Sequence, residues 1–167
     1  MPLEQTLIAV TLGLTLAVTC GLRAFLPLGL VSALGAGGLL DLPSQLEWMT
    51  SAPAVLTFWT AAVAEVVADK VPVVDHAFDA VATFLRPAAG AVAGGALIGG
   101  ADPIVACVFG LAGGTLVAGA THIGKASVRA GSTATTAGTG NPVLSIIEDL
   151  VVVGIGGATV VGASALL

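Results

Sequence analysis

The sequence predicts an all-α protein, a polytopic bundle of transmembrane helices with about five crossings. Composition is the first reason, because 56% of the 167 residues are hydrophobic and only 9% are charged, whereas soluble domains carry about 25% charged residues. The length of the apolar runs is the second reason, since a membrane helix needs about 20 apolar residues and a barrel strand about 10 with alternating polarity. A chain of this size has too little interior to hide so much apolar surface from water. We therefore expect residues 1–167 to form a single integral membrane domain.

The first segment, residues 5–38, is too long for one straight membrane helix. Gly21, Arg23 and Pro27 lie at its middle, where they predict a break, a kink or a re-entrant turn. No lysine or arginine precedes Arg23, whereas a signal peptide has a basic start. We therefore expect a first membrane helix that is retained in the protein.

Prolines mark the limits of the later segments. Pro72 is expected to end the second span, because its ring removes a hydrogen-bond donor and disfavours helix in the preceding residue. The predicted segments after the first are an amphipathic stretch at 39–51 with Trp48 at the interface, a span at 52–70, a short interfacial amphipathic helix at 73–85, spans beginning at Pro87 and at 104, a loop at 125–141 and a last span at 143–166.

The basic residues give the expected orientation. Lysines and arginines flank two loops, 70–87 and 125–141, whereas the loops at 36–51 and 101–103 contain acids and no base. Because cytoplasmic loops are enriched in lysine and arginine, both basic loops are expected in the cytoplasm, as in a protein of the bacterial inner membrane. Five crossings place the N-terminus inside and the C-terminus outside, and a first segment that crosses twice moves the N-terminus outside.

Small residues at helical spacing indicate how the helices meet. Three GxxxG spacings occur, at Gly90 and Gly94, at Gly95 and Gly99, and at Gly110 and Gly114. Lipid gives no hydrophobic drive between helices, so close backbone contact has to supply the packing energy. These glycines predict tight contacts either within the chain or, given its small size, between copies in a homo-oligomer.

Five charged residues lie in or near apolar runs and are the primary candidates for a polar centre: Arg23, Glu65, Asp69, Glu148 and Asp149. An ionisable group at membrane depth costs roughly a few kcal/mol, so it persists only when it is paired, hydrated or functional. Glu65 and Asp69 are four residues apart and share a helix face. Arg23 could meet the acids if its segment is broken. A substrate or ion pathway, structural salt bridges and snorkelling to the interface all remain open.

Six further residues are secondary candidates for the same centre: Lys70, Asp75, Asp79, His122, Lys125 and Arg129. The acids between residues 65 and 79, together with His76, could present oxygens and an imidazole to a divalent cation. However, the chain has no HExxH, EF-hand or Cys/His spacing, and Cys20 and Cys107 form no CxxC motif. Asp75, near the start of a short helix, is more typical of a capping acid. We therefore predict no metal site and no cofactor.

Four stretches of the chain are distinctive: CGLRAFLPL at 20–28, EVVADKVPVVDHAFDAV at 65–81, RPAAGA at 86–91 and GNPVLSIIEDLVVVG at 140–154. In this order they resemble a bacterial family of small integral membrane proteins, the domain of unknown function 4126. The resemblance covers nearly the whole chain, and its specific parts are ADKxPxxD and SxxED. It implies a polytopic membrane protein and no particular reaction. It also supports ten positions: Arg23, Glu65, Asp69, Lys70, Pro72, Asp75, Asp79, Pro142, Glu148 and Asp149.

The predicted function is membrane transport by a small channel or transporter. Ten acids against five bases favour a small cation or a proton, which the carboxylates would bind while Arg23 stabilises their charged form or acts as a gate. The alternative is a non-transporting scaffold or accessory subunit of the membrane, in which the same charges are salt bridges. No GxSxG, P-loop or GxGxxG motif is present, so we expect no enzymatic activity. The chain has no basic patch for nucleic acid, and its expected partners are the lipid bilayer and further copies of itself.

Overall fold

The structure, a computed structural model, describes residues 2–70, 72–98 and 101–166, except for the side chains of residues 72–79. Within these ranges the regular structure is entirely helical, which confirms the predicted all-α class. The helices are α1 Leu3–Leu22, α2 Phe25–Ala36, a 3₁₀ helix Ser44–Thr50, α3 Ala52–Ala68, α4 Pro72–Ile98, α5 Pro103–Thr136 and α6 Asn141–Leu166. α5 and α6 each contain a π-helical turn, at Ala106–Gly113 and Val152–Gly156.

The first segment breaks at Arg23, as predicted. α1 ends at Leu22, and Arg23 adopts an extended backbone with φ −138° and ψ 118° before α2 begins at Phe25. An extended residue turns the chain out of the helical path. α2 has 12 residues and is therefore about 18 Å long, which is too short to cross a hydrocarbon core about 30 Å thick by itself.

A bent pair of helices leads from α2 back towards the break. The 3₁₀ helix Ser44–Thr50 and α3 meet at an angle of 72°. Ser51 stands between them and caps α3, since its Oγ accepts the Ala54 N–H at 3.4 Å. Trp48 is exposed on the 3₁₀ helix, with its ring centroid 6.0 Å from that of Phe58. The amphipathic stretch predicted at 39–51 thus contains a short helix that presents an aromatic side chain outwards.

Pro87 does not begin a helix, contrary to the sequence prediction. α4 runs without interruption over Pro72–Ile98 and joins the predicted amphipathic helix at 73–85 to the span of small residues. Membrane helices tolerate proline because neighbouring groups satisfy the backbone atoms that it frees. The ring lies beside Gly119 of α5, where an added Cβ would be 3.7 Å from Pro87 Cγ. Arg86 therefore lies inside a helix and not at its end.

The prediction of a loop at 125–141 is also wrong over most of this stretch. α5 continues to Thr136, and the left-handed residues Ala137 (φ 53°) and Gly138 (φ 85°) then end it. Hydroxyl groups in this stretch donate to carbonyls one turn earlier, as Thr136 Oγ1 does to Ser132 O at 2.7 Å. Each such side chain is satisfied within its own helix, so a Thr-rich sequence can remain helical where water is scarce.

Glycines allow α4 and α5 to cross in close contact. A Cβ added to Gly90 would overlap the Ala118 side chain, and one added to Gly114 would overlap the Gly90 carbonyl. A Cβ added to Gly94 would lie 3.0 Å from the Gly110 carbonyl oxygen. The order of these contacts makes the two helices antiparallel, and it brings two of the GxxxG spacings against each other within one chain.

α6 packs antiparallel to α1. Asp149 contacts Arg23 at one end, and further along α6 a Cβ added to Gly156 would be 3.5 Å from Thr19 Oγ1. The start of α1 and the end of α6 therefore lie at the same end of the bundle, remote from Arg23. The two ends of the chain therefore do not lie at opposite ends of the bundle, as the prediction of five crossings with the N-terminus inside and the C-terminus outside required.

Within the described ranges, four helices are long and apolar enough to cross a membrane, or five if the bent pair forms one span. The four are α1, Ala80–Ile98 of α4, α5 and α6. Large apolar side chains are exposed on their outer surfaces, among them Leu7, Phe84, Leu116 and Leu150. Because the backbone polar groups of a helix bond within the helix, these surfaces suit lipid. The chain is an integral membrane protein.

Candidate functional site

The charged residues of the bundle are concentrated in one network. All five lysines and arginines of the chain lie among the described residues, and each forms an ion pair with one of four acids. Buried charges persist when they are paired and hydrogen-bonded. The network has two parts. The Asp69 cluster contains Arg23, Asp69, Lys70, Lys125, Arg129, Ser145, Glu148 and Asp149, and the Glu65 site contains Glu65, Thr83, Arg86 and His122.

Asp69 is the centre of the Asp69 cluster, and its side chain is fully buried. It directly follows α3, and its Oδ2 contacts three cations. These are the guanidinium of Arg23, the Lys125 Nζ at 3.1 Å and the Arg129 Nη2 at 3.0 Å. Its Oδ1 is buried and has no hydrogen-bond partner in the described structure. One carboxylate thus joins the end of α3 both to the break between α1 and α2 and to α5.

Glu148 of α6 is the second shared acid. Its Oε2 lies 2.9 Å from Arg129 Nη2, 3.2 Å from Lys125 Nζ and 3.7 Å from Arg23 Nη2. These are the same three cations that contact Asp69. An acid at the end of α3 and an acid on α6 therefore share three bases, and either acid can hold the bases if the other loses its charge.

Asp149, Lys70 and Ser145 form the outer edge of the Asp69 cluster. Asp149 accepts hydrogen bonds from Arg23 Nε at 2.7 Å and from Lys70 Nζ at 2.9 Å. Ser145 Oγ accepts from Arg23 Nη2 at 2.8 Å, and Lys70 Nζ lies 3.4 Å from it. Arg23 therefore bonds across to α6 through both an acid and a hydroxyl.

Glu65 holds the start of α2. Its Oε1 accepts the Ala24 N–H at 2.9 Å, and its Oε2 accepts the Phe25 N–H at 3.0 Å. The first N–H groups of a helix have no partner within the helix, and a carboxylate also suits the positive end of the helix dipole. Arg86 Nη2 lies 3.8 Å from Glu65 Oε1, so the carboxylate is held between a helix end and a buried base.

Arg86 connects Glu65 to a histidine. Its Nη1 lies 2.5 Å from His122 Nδ1, and because arginine only donates hydrogen bonds, Nδ1 is the acceptor. The proton of the neutral ring is then on Nε2, which lies 3.3 Å from Thr83 Oγ1. The Glu65 site thus spans α3, α4 and α5.

Two helix C-termini are matched with cations. Lys125 Nζ donates to the Leu22 carbonyl at 3.1 Å, at the end of α1. Lys70 Nζ donates to the Val66 carbonyl at 3.1 Å, in the last turn of α3. The last carbonyls of a helix lack partners within it, and they carry its negative dipole end. With the N-terminus of α2 on Glu65, three helix ends meet the network with complementary charge.

Apolar side chains surround the network on its outer side. On each of the helices that supply charges, large apolar residues close to those charges in sequence point outwards and are exposed: Val63, Val67, Phe84, Ile123, Val128, Ile146, Ile147 and Leu150. The network therefore lies behind a largely apolar outer surface of the bundle.

The structure brings all five primary candidates into this network: Arg23, Glu65, Asp69, Glu148 and Asp149. Four of the secondary candidates join them: Lys70, His122, Lys125 and Arg129. The side chains of Asp75 and Asp79, together with that of His76, lie outside the described residues.

Sequence reasoning missed three members of the network: Arg86, Ser145 and Thr83. Arg86 was expected beside a loop, because Pro87 suggested a helix start there, yet it is fully buried inside α4. Ser145 carries no charge and gave no signal by itself. Its spacing of three and four residues from Glu148 and Asp149 does place it on their helix face, and the SxxED stretch could have revealed it.

The burial of the bases also corrects the reasoning about orientation. Arg86, Lys125 and Arg129 are helical and buried, so they are not the loop charges that the positive-inside rule counts. Only Lys70 of the four bases used there is substantially exposed. The burial of Arg86, Lys125 and Arg129 therefore removes three of the four bases from which the cytoplasmic side was predicted, and Lys70 remains.

Comparison with known proteins gives one result. A family model described as "Domain of unknown function (DUF4126)" matches residues 10–162, which include every member of both parts of the network. No curated protein matches the chain, and no solved structure does. Since the model covers nearly all of the sequence, the predicted resemblance is confirmed, and the chain belongs to the DUF4126 family.

Proposed function

We propose that this chain is a small proton-linked membrane transporter in which the Asp69 cluster binds the coupling proton. The observation that carries the proposal is the convergence of all five bases with four acids behind an apolar outer surface. Intramembrane charges are costly and are found mainly along substrate paths and proton relays.

A purely structural role explains the network less well. Replacing a buried ion pair by well-packed apolar residues is often neutral or stabilising, and this bundle already packs closely through glycines such as Gly90 and Gly114. A bundle that needed only stability would not require eight buried or part-buried charges. The cost of the network therefore favours an activity.

The helix breaks support transport in particular. The α1–α2 break at Arg23 and the end of α3 at Asp69 both lie in the network, and the N-terminus of α2 points at Glu65. Discontinuous helices whose ends face a polar site inside the membrane are typical of transporters, since irregular backbone at that depth needs such a site to satisfy it.

A proton fits the cluster better than a metal cation. A metal ion needs several oxygen ligands at once, whereas Asp69 Oδ2 and Glu148 Oε2 are already shared among the bases. A proton needs only one lone pair. A proton on Asp69 would remove its attraction for Arg23 and Lys125 and leave these bases to Glu148. The end of α3 would then be free to move relative to α1 and α5, which is a change between two states that a proton gradient can bias.

Flux measurements on reconstituted protein test the proposal. Proteoliposomes with an internal pH-sensitive dye should show faster proton movement than empty liposomes under a pH gradient, and Asp69→Asn or Glu148→Gln should abolish the difference. Glu47→Gln is the matched control, because Glu47 is an exposed acid remote from the network, and it should retain full flux. Proton movement no faster than in empty liposomes, across gradients of both signs, would reject proton-linked transport.

One observation favours the scaffold as a second candidate. Each of the four acids contacts at least one base, as expected if the charges only fix helix register. A scaffold would show no flux, and the same variants would lower the yield of folded protein. A folded Asp69→Asn variant that lacks the flux shown by the unaltered chain would instead support the transporter.

A further inference from the structure

We propose that the Asp69 cluster opens to water beside Lys70 and Asp149, and that a water molecule is bound at Asp69 Oδ1. The water site follows from contacts and burial alone. Its use as the entry route of the coupling proton rests on the proposed function.

The first observation is the unsatisfied oxygen. Asp69 is fully buried, and Arg23, Lys125 and Arg129 all contact its Oδ2, whereas Oδ1 has no hydrogen-bond partner in the described structure. A buried charged oxygen without a donor is unfavourable, and such atoms in native proteins are usually satisfied by protein groups or by ordered water. The described protein groups do not supply a donor, which points to a small ligand that does.

The second observation is a gradient of exposure. Side-chain exposure is 38% for Lys70, 20% for Asp149, 12% for Glu148 and 0% for Asp69. Contacts connect three of these residues in the same order, since Lys70 bonds Asp149, and the fully buried Arg23 bonds both Asp149 and Asp69. The cluster is therefore accessible to water from one edge, between the end of α3 and α6. The exposure of its side chains decreases from this edge towards Asp69.

The chemistry of the site selects the ligand. The ligand has to donate a hydrogen bond to a carboxylate oxygen, which excludes anions without a proton. The Asp69 cluster holds four bases (Arg23, Lys70, Lys125 and Arg129) against three acids (Asp69, Glu148 and Asp149), and this surplus positive charge disfavours a further metal cation. Water is neutral, small and a donor, and it is stable where several polar groups are in reach.

Such a water would deliver a proton to one particular atom. When a proton reaches this water from the exposed edge, the water accepts it and donates one of its own protons to Asp69 Oδ1, which leaves a water molecule and a neutral carboxylic acid. Oδ2 is less suited, because a proton there would displace a bonded cation. Thus Oδ1 is the oxygen of Asp69 at which protonation begins.

Radiolytic hydroxyl-radical footprinting in lipid nanodiscs tests whether the cluster is wet, because radicals form from the bound waters themselves. The probe is Ser145→Cys in a Cys107→Ser background, since Ser145 Oγ contacts both Lys70 and Arg23. Native Cys20 is the internal dry control, because it is fully buried in the apolar core. The introduced thiol should be oxidised several-fold faster than Cys20. A lipid-facing thiol from Ile147→Cys in the same background should not exceed Cys20.

Water-edited solid-state NMR asks the same question of the unaltered chain in bilayers, so the test survives if Ser145→Cys misfolds. The Asp69 carboxyl carbon should receive magnetisation from water much faster than the side chain of Cys20. Equal, slow transfer to both residues would overturn the proposal, as would an unreactive thiol at position 145 in a folded variant. A shift of the Asp69 signal when sodium replaces choline would overturn the choice of water as the ligand. A wet cluster in a protein without proton flux would keep the water site and reject only the proposed function.

Discussion

Asp69 and Lys70 are neighbours in the chain, but their surroundings differ. Asp69 is fully buried and contacts three cations, whereas Lys70 is 38% exposed and pairs with Asp149. An exposed pair contributes about 0–1 kcal/mol, while removing one partner of a buried pair costs about 3–5 kcal/mol. Burial, and not the number of contacts alone, therefore determines how much each ion pair contributes to the free energy of unfolding.

Arg23→Met should destabilise the protein by about 3–5 kcal/mol, because Asp69 and Asp149 lose a buried partner. Lys70→Met removes a charge of the same sign from the same cluster, yet it should cost no more than about 1 kcal/mol, since Asp149 keeps Arg23. Reversible unfolding in mixed detergent micelles measures both. Equal losses in the two variants would contradict the importance assigned to burial.

Glu65 should matter chiefly as an acceptor for the start of α2. Glu65→Ala removes the acceptor of two backbone N–H groups and the carboxylate that pairs with Arg86. We expect the free energy of unfolding to fall by about 3–5 kcal/mol. Glu65→Gln keeps one acceptor oxygen, so its loss should be smaller, whereas Glu47→Ala should have almost no effect because Glu47 is exposed. The same unfolding assay gives the order. A Gln variant as unstable as the Ala variant would argue that charge, and not hydrogen bonding, holds α2.

At the scale of elements, helix ends and glycine contacts organise the bundle. The end of α1, the start of α2 and the end of α3 each meet a side chain of complementary charge. Away from the network, α4 and α5 approach through glycine backbones. Charged groups thus fix the broken helices, and small residues fix the continuous ones.

Gly90→Ala should destabilise the crossing of α4 and α5 by about 1–3 kcal/mol, because the new methyl group overlaps the Gly114 carbonyl and Ala118. Gly124→Ala on α5 is the control. No atom lies within 4 Å of a Cβ at that position, and alanine favours helix by up to about 1 kcal/mol. Thermal unfolding in detergent distinguishes them. A Gly90→Ala variant as stable as the unaltered chain would show that α4 and α5 can move apart without a loss of stability.

At the scale of the whole molecule, charge is distributed unevenly between the two ends of the bundle. α4 runs from Arg86 in the network to Gly94 and Ile98, which lie beside Gly13 in the middle of α1. Among described residues, the exposed acid Glu4 lies at the end that holds the start of α1, and no base lies there. The bases all lie in the network, towards the opposite end.

This arrangement predicts that both termini lie on the same side of the membrane. Reporters that are active on only one side of the bacterial inner membrane, fused to either end of the chain, should give the same result. The expected side is outside, because Lys70, the substantially exposed base that the positive-inside rule can count, lies towards the opposite end. Opposite results from the two fusions would contradict the antiparallel packing of α1 and α6 as the arrangement in the membrane.

The sequence was informative wherever a local pattern has a direct physical cost. An apolar run interrupted by Arg23 predicted both the break and a need for partners, and Glu65 stood out because an acid inside a membrane helix needs compensation. The sequence prediction was wrong where a loop was inferred from amino-acid composition alone. The Gly-, Ser- and Thr-rich stretch at 125–141 resembles a loop in water, but much of it forms the end of α5.

By itself, the sequence determined the membrane class, the break at Arg23 and the acids that need an explanation, because each follows from the cost of placing a group in an apolar run. Only the tertiary structure decided which charge meets which. In the folded chain Arg86 is buried in the middle of α4, and Ser145 bonds to Arg23. Asp69 and Glu148 contact the same three bases. The physical reason is that the cost of a charge is local, whereas its compensation comes from helices far away in the chain.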